Sequence, residues 1–299
     1  MSAVETQDPT QVSARMPEPS NAGYWMGVWR RVWRDRTTLV SALLLLAILL
    51  AILGAPVLAP YDPYLGNILR RLQPIGVSGH LLGTDELGRD MLTRLLYGGR
   101  MSCILGITPV ALAFLIGGFF GIIAGFAGGW LNTLIMRVTD VFYAFPSVLL
   151  AVAISGALGP GVANAILSLT LVFIPPIIRV AESAAISVRN LDYVEAARAS
   201  GAGTASIVSV HVLPNVLGHV FVYATSLVGV SMILAAGLSF LGLGSRPPEA
   251  EWGSMLNTLR MSIYSVPQIA ILPGVCIFTT SACFNLVSDG LRRAMDIRA

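Results

Sequence analysis

The 299-residue chain contains no lysine, so all 19 of its basic residues are arginine. A P-loop needs the lysine of G-x-x-x-x-G-K-[ST] to reach the β/γ-phosphates, and Schiff-base chemistry needs a lysine amine. The chain can do neither, and any ATP its work consumes must be hydrolysed by another polypeptide. Charge is scarce as well: 12% of residues are charged, against about 25% in a soluble domain. The net charge of +3 is scattered, which gives no basic patch for nucleic acid. Cys103, Cys276 and Cys283 all lie in apolar runs, are odd in number and form no C-x-x-C pair. They read as packed thiols and not as ligands or disulfides. Nothing resembles a G-x-S-x-G elbow or an H-E-x-x-H metal site, which leaves no enzyme active site to assign.

What is present is apolar surface, 55% of residues. A helix crosses a hydrocarbon core with about 20 mostly apolar residues, so six crossings use about 120 residues. Candidate spans lie at 39–59, 101–124, 138–157, 163–181, 213–238 and 267–287, an all-α polytopic membrane protein with six transmembrane helices. The run from Leu39 to Ala59 exceeds a signal-peptide core of about 7 to 15 residues, so it is expected to remain as the first span. With Arg70, Arg71, Arg89, Arg94, Arg100, Arg246 and Arg260 on one side and the other twelve arginines facing them, the positive-inside rule favours N-in and C-in.

Residues 1–23, rich in Pro, Ser, Gln and Glu, read as a flexible cytoplasmic tail. Residues 24–60 combine the first span with a membrane-surface elbow over Tyr24 to Arg36, where tryptophans alternate with arginines. Residues 61–100 form an extracytoplasmic loop. Within it, Thr84 as N-cap, Asp85 and Glu86 in the first turn and Gly98-Gly99 as the stop predict an amphipathic helix along the outer membrane surface. Leu87, Met91, Leu92, Leu95 and Leu96 would share its apolar face, and Asp90 would pair with Arg94 at i,i+4. Residues 101–290 hold the other five spans, and residues 291–299 form a cytoplasmic tail.

Gly117, Gly121, Gly125 and Gly129 recur every four residues, the spacing that lets a second helix backbone approach closely. Pro109, Pro146, Pro175-Pro176 and Pro273 predict bends in their spans. Between spans four and five runs a loop, 189–214, in which Asp192 and Glu195 make a capping-box-like start. Ala196, Ala197 and Ala199 favour helix and Gly201 stops it. So short a helix has little core of its own, and its apolar face is expected to seat in a groove on another protein.

That loop resembles the EAA loop of bacterial ABC-importer permeases: Glu195-Ala196-Ala197, three residues, Gly201, then twelve residues to Pro214. The chain departs from the pattern at His211, where many members carry an apolar residue. Leu82 through Asp90 with Arg94, Gly98 and Arg100 is similar to the loop before the second span in C-type permease subunits of dipeptide, oligopeptide and nickel importers. Leu238 through Gly244 with Pro247-Pro248 and Trp252-Gly253, and Phe284-Asn285-Leu286 with Asp289 through Arg293, match the same family. The resemblance covers about residues 35–298.

The resemblance implies a type I ABC importer permease fold in the bacterial inner membrane. It also implies a homologous B-type permease as partner, two ATPase subunits or domains that hold the ATP and magnesium, and an extracytoplasmic solute-binding protein. The chain itself needs no cofactor. Asp192, Glu195, Ala196, Ala197, Gly201 and Pro214 would then form the coupling element, and peptides would be the cargo, with nickel chelates, opines, glutathione or sugars as alternatives within the family. Arg246, Trp252 and Arg260 are candidates for docking the binding protein, and Trp252 reads equally as an interfacial anchor. Asp140, Arg179 and Glu182 are the charges nearest the membrane. Each lies near a predicted cytoplasmic end, where snorkelling or a helix-end contact with Arg137 is one reading and a functional intramembrane charge the other. The alternative from another class, an ion-coupled secondary transporter, would place carboxylates near the midplane, and the sequence marks none clearly there. His80 reads as a lone histidine.

Overall fold

The computed structural model describes residues 21–77 and 79–295. The tail over 1–20 and the last four residues lie outside them, while Asn21 to Gly23 and Leu291 to Met295 are helical. Twelve α-helices form the described part, with no β-strand among those residues and only two isolated bridges, Val77 with His80 and Thr84 with Asp90.

The amphipathic α1 (Asn21–Arg34) meets α2 (Arg36–Leu53) at Asp35. The Asp35 carboxylate accepts from the Thr37 amide and the Thr38 hydroxyl, and Arg293 donates to it at 2.7 Å. Arg293, and after it Thr38, holds this carboxyl down at about 2. Arg31 Nη1 donates to the Ala294 carbonyl at 2.8 Å, which ties α1 to the last helix. Gly54 ends α2, and Pro56 begins the single turn α3 (Ala55–Leu58), so the first apolar run is divided between two helices.

α4 (Met91–Ala127) has 37 residues, about 55 Å at 1.5 Å per residue, far more than the roughly 30 Å of hydrocarbon. This corrects the separate surface helix expected over 84–98. Thr84 to Asp90 is turn, the N-cap is Asp90, and the helix passes through Gly98-Gly99 without stopping. Asp85 cannot open a helix because its carboxylate is taken by the Leu87 and Arg89 amides and the Arg89 guanidinium. Arg94 turns to Asp85, 3.1 Å away, and not to Asp90, which binds His80 Nδ1 at 2.9 Å.

α5 (Gly129–Tyr143) and α6 (Ser147–Leu158) form one broken span bent by 87°, with Pro146 at the break. α7 (Val162–Arg189) crosses next, followed by α8 (Asp192–Ala199), α9 (Thr204–Ile207) and a π-turn over Val208–Val212 that leads into α10 (Leu213–Phe240). α11 (Trp252–Leu259) is short, and α12 (Pro267–Met295) closes the fold. Five helices are long and apolar enough to cross a membrane, and the bent pair passes the same test when taken as one span, which gives up to six.

The tightest seam is between α4 and α7. A Cβ added at Gly117 would lie 2.9 Å from the Ile174 carbonyl, at Gly121 2.5 Å from Ile178 O, and at Gly125 2.5 Å from Glu182 O. Each contact pairs residues with the same offset, so the two helices run parallel in a fixed four-residue register. Gly129 departs from the expectation. It lies beyond the end of α4 at φ +57°, and a Cβ there meets nothing. Arg189 Nη1 donates to the Phe126 carbonyl, so both helices end together. α10 and α12 run antiparallel, with the Ser288 hydroxyl bonded to the Val222 carbonyl, and Gly218 lies against Met295. α1, the end of α12 and the segment α8–α9 therefore share one end of the bundle. The 60–90 loop and α11 occupy the other.

Candidate functional site

The N-cap of α8 is Leu191, so Asp192 is its first helical residue and not its cap, and no side chain caps the helix. Asp192 and Glu195 lie in its first turn, where negative charge suits the positive end of the helix dipole, with Arg198 in its last. Gly201, at φ +82°, closes it: the Gly201 amide donates to Arg198 O at 3.0 Å and the Ala202 amide to Ala197 O at 3.1 Å. This pair of bonds is the Schellman closure, which asks for a left-handed residue and so for glycine.

The helix has an inner anchor that the sequence reading did not assign. Val194 is fully buried and joins the core cluster with Ile207, Val212 and Val216, and Ala197 packs half-buried beside it. Asn215 and Tyr193 are linked by a hydrogen bond, and the Tyr193 ring lies near His211. The apolar face therefore turns toward the chain's own core, not outward as expected. Asp192, Glu195, Ala196 and Ala199 are exposed at i, i+3, i+4 and i+7, which makes one small, acidic outward stripe. Among the described residues no side chain bonds to Asp192, Glu195 or Arg198. Pro214 stands in the first turn of α10, where its missing N–H costs no helical bond.

At the opposite end, α11 is seated on α4. A Cβ at Gly98 would press on Ala250 and Glu251, and one at Gly99 would lie 2.7 Å from Ile52 and 2.8 Å from the Trp252 ring. The two glycines thus make room for a crossing helix. Trp252 is 2% exposed and its indole N–H donates to Leu95 O at 2.9 Å. This excludes it as a surface anchor or docking residue, whereas Arg246 and Arg260 are exposed at the same end.

Glu251 is the residue the sequence reading missed. Its carboxylate accepts from the Ser102 hydroxyl at 3.0 Å, the Gly253 amide at 2.7 Å and the Ser254 amide at 2.8 Å. Burial pushes its carboxyl above the usual carboxylate range, and these donors oppose that shift. The N-cap preference for Ser, Thr, Asp and Asn passes over a glutamate, and its partner Ser102 lies 149 residues away in sequence.

Around Asp85, a buried cluster locks the loop onto α4. Asp85, Arg89 and Arg94 are each at most 4% exposed, and Arg94 Nη1 also donates to Pro63 O at 2.9 Å. On the broken-span face, Arg179 Nη2 donates to Asp140 Oδ1 at 2.7 Å and its guanidinium lies 4.6 Å from the Tyr143 ring centroid. Glu182 accepts from Asn132 at 2.7 Å. None of these three charges contacts Arg137. Among the described residues no three potential metal ligands gather.

Residues 117–299 match the family model described as the binding-protein-dependent transport system inner membrane component. Residues 23–74 match the N-terminal transmembrane domain of oligopeptide transport permease C. The glutathione transport system permease protein GsiD of Pectobacterium atrosepticum is 41% identical over 242 residues, 81% of this chain and 80% of that protein. The di/tripeptide transport system permease protein DppC of Pseudomonas aeruginosa is 42% identical over 247 residues, 81% of this chain and 82% of that one. The dipeptide transport system permease protein DppC of Alkalihalophilus pseudofirmus is 42% identical over 217 residues, 73% of this chain and 71% of that one. With this all-helical architecture, these matches establish that the chain belongs to the inner-membrane permease family of binding-protein-dependent ABC transporters, on its C-type branch.

Proposed function

We propose that the chain forms half of the membrane pathway of an ATP-driven importer of di- and oligopeptides, completed by a homologous B-type permease. Two ATPase subunits hold ATP and magnesium and dock on α8, and an extracytoplasmic binding protein delivers cargo to the end bearing Arg246 and Arg260. The α8 end of the bundle faces the cytoplasm, which is the N-in, C-in arrangement.

The observation that carries this reading is the outward stripe Asp192, Glu195, Ala196 and Ala199, presented by a helix that Val194 fixes to the core. Alanines allow close approach, the carboxylates give polarity to the contact, and the buried anchor transmits a push on α8 into α7 and α10. A chain without lysine cannot build a P-loop of its own, so the energy enters through this contact. Peptide cargo is supported by relatives whose names specify dipeptide, di/tripeptide and glutathione transport, glutathione being itself a small peptide.

The test is uptake by proteoliposomes containing the chain with the subunits that co-purify with it and a loaded binding protein. ATP-dependent accumulation of di- and tripeptides is expected, abolished by vanadate and unchanged by a protonophore. Uptake that ignores vanadate and collapses with the protonophore would contradict the reading.

A further inference from the structure

Asp140 on α5 and Arg179 on α7 differ from every other ion pair in the bundle. The Asp85, Arg89 and Arg94 cluster is sealed from solvent, and the Asp35–Arg293 pair stands at the helix ends. Asp140 and Arg179 are 47% and 50% exposed, yet Asp140 lies 11 residues past Gly129 and Arg179 lies 10 before Arg189. Both positions are thus about 15 Å in from the helix ends that the Arg189–Phe126 contact holds level. An exposed charge at that depth is costly against lipid and marks a water-lined or partner-lined surface.

The pair also has unused capacity. One bond joins Arg179 Nη2 to Asp140 Oδ1, and among the described residues Asp140 Oδ2 and Arg179 Nη1 and Nε have no hydrogen-bond partner, although the guanidinium also lies over the Tyr143 ring. Apolar space flanks it on both sides. A cavity of about 390 Å³ lies between α4, α5 and α7, lined by Phe142, Pro175 and Ile178. Another of about 240 Å³ runs from Tyr143 past Phe173 to Tyr223.

We propose that Asp140 and Arg179 read the two charged ends of a peptide in transit, with Arg179 taking the terminal carboxylate and Asp140 the terminal ammonium. The proposal rests on the peptide reading above. The exchange replaces one internal ion pair by two intermolecular ones and is charge-balanced throughout, since a neutral site accepts a zwitterion. A guanidinium supplies the fork that a carboxylate matches, and the apolar cavities take side chains without selecting among them. The ends of a dipeptide, which lie close enough for both side chains to reach, are thereby recognised while its two side chains are left free.

The experiment compares uptake of a free dipeptide, its N-acetylated form and its C-amidated form by the reconstituted complex. Each is supplied on saturating binding protein and expressed as a variant-to-unaltered ratio, so that the binding protein's own preference cancels. Asp140→Asn leaves a lone cation and is expected to favour the acetylated peptide over the free one by about tenfold, equivalent to about 1.4 kcal/mol. Arg179→Gln leaves a lone anion and is expected to favour the amidated peptide by a similar factor. Asp140→Ser and Arg179→Met, which likewise remove one charge each, replace the first two where those fail to assemble, with shifts of the same sign. If all three substrates fall by one common factor in both variants, the pair is a structural latch and the proposal is overturned. If the unaltered complex carries none of the three, the peptide reading fails and this proposal falls with it.

Discussion

Gly121→Ala is expected to destabilise the permease by about 1–3 kcal/mol, the range for forcing a methyl group into a filled core. Gly118→Ala, three residues earlier on the same helix, is expected to be neutral or slightly stabilising. A Cβ at Gly121 would stand 2.5 Å from the Ile178 carbonyl oxygen and 2.6 Å from the Ala181 methyl, whereas at Gly118 nothing lies within 4 Å. The obstacle at Gly121 is backbone, so no rotamer change relieves it and α4 must move away from α7. At Gly118 the helix gains about 1 kcal/mol of intrinsic propensity and loses nothing. The measurement is the thermal unfolding midpoint of each purified variant in detergent. A drop of several degrees confined to Gly121→Ala is the expected result, and equal behaviour of the two would contradict the register.

The second large effect concerns the α8 end of the bundle. Gly201→Trp is expected to lower ATP-driven uptake about tenfold or more, as loss of about 1.4 kcal/mol of docking free energy would, while leaving the chain folded and inserted. Gly201 has φ +82°, and a Cβ built there meets nothing within 4 Å, so a side chain leaves the helix end without striking the chain's own atoms at its first carbon. What the indole blocks is the approach of a partner to the stripe beside it. Gly201→Ala carries the same left-handed penalty of about 1–2 kcal/mol without the bulk and is expected to retain most uptake. Full uptake by the tryptophan variant would contradict the assignment. Equal loss in both variants would place the effect in the loop's own conformation.

Spans and motifs were legible because they depend on composition and local spacing. Apolar runs located the five helices long and apolar enough to cross a membrane, the run at 138–157 falls across the break between α5 and α6, and the small-residue interval at 117, 121 and 125 marked the seam with α7. The choices that failed were decided across the fold. Thr84 and Asp90 both have the chemistry of an N-cap, and Arg89 and Arg94, by occupying Asp85, leave Asp90 to start α4. Gly98-Gly99 carries the signature of a helix stop, yet α11 lies across those residues and needs their missing side chains. Trp252 has the composition of an interfacial anchor but is buried because Leu95 O receives its N–H. Val194 was passed over because a single valine in a polar octapeptide has no periodicity to expose its face. The Asp140–Arg179 pair joins residues 39 apart in sequence across a broken span, and no local rule links them.

The central claim is that an ATPase seats on the outward stripe of α8, and it is tested most directly by crosslinking. Glu195 is exposed there, whereas Tyr264, 86% exposed, stands at the opposite end of the bundle. With Cys103, Cys276 and Cys283 replaced by serine or alanine, Glu195→Cys carrying a short photoreactive label is expected to crosslink to the co-purifying ATPase, with a yield that changes between the ATP-bound and nucleotide-free complex. The same label at Tyr264→Cys is expected to give no such product. Crosslinking at Tyr264 but not at Glu195, or a Glu195 label that captures no ATPase from an intact, hydrolysing complex, would contradict the account.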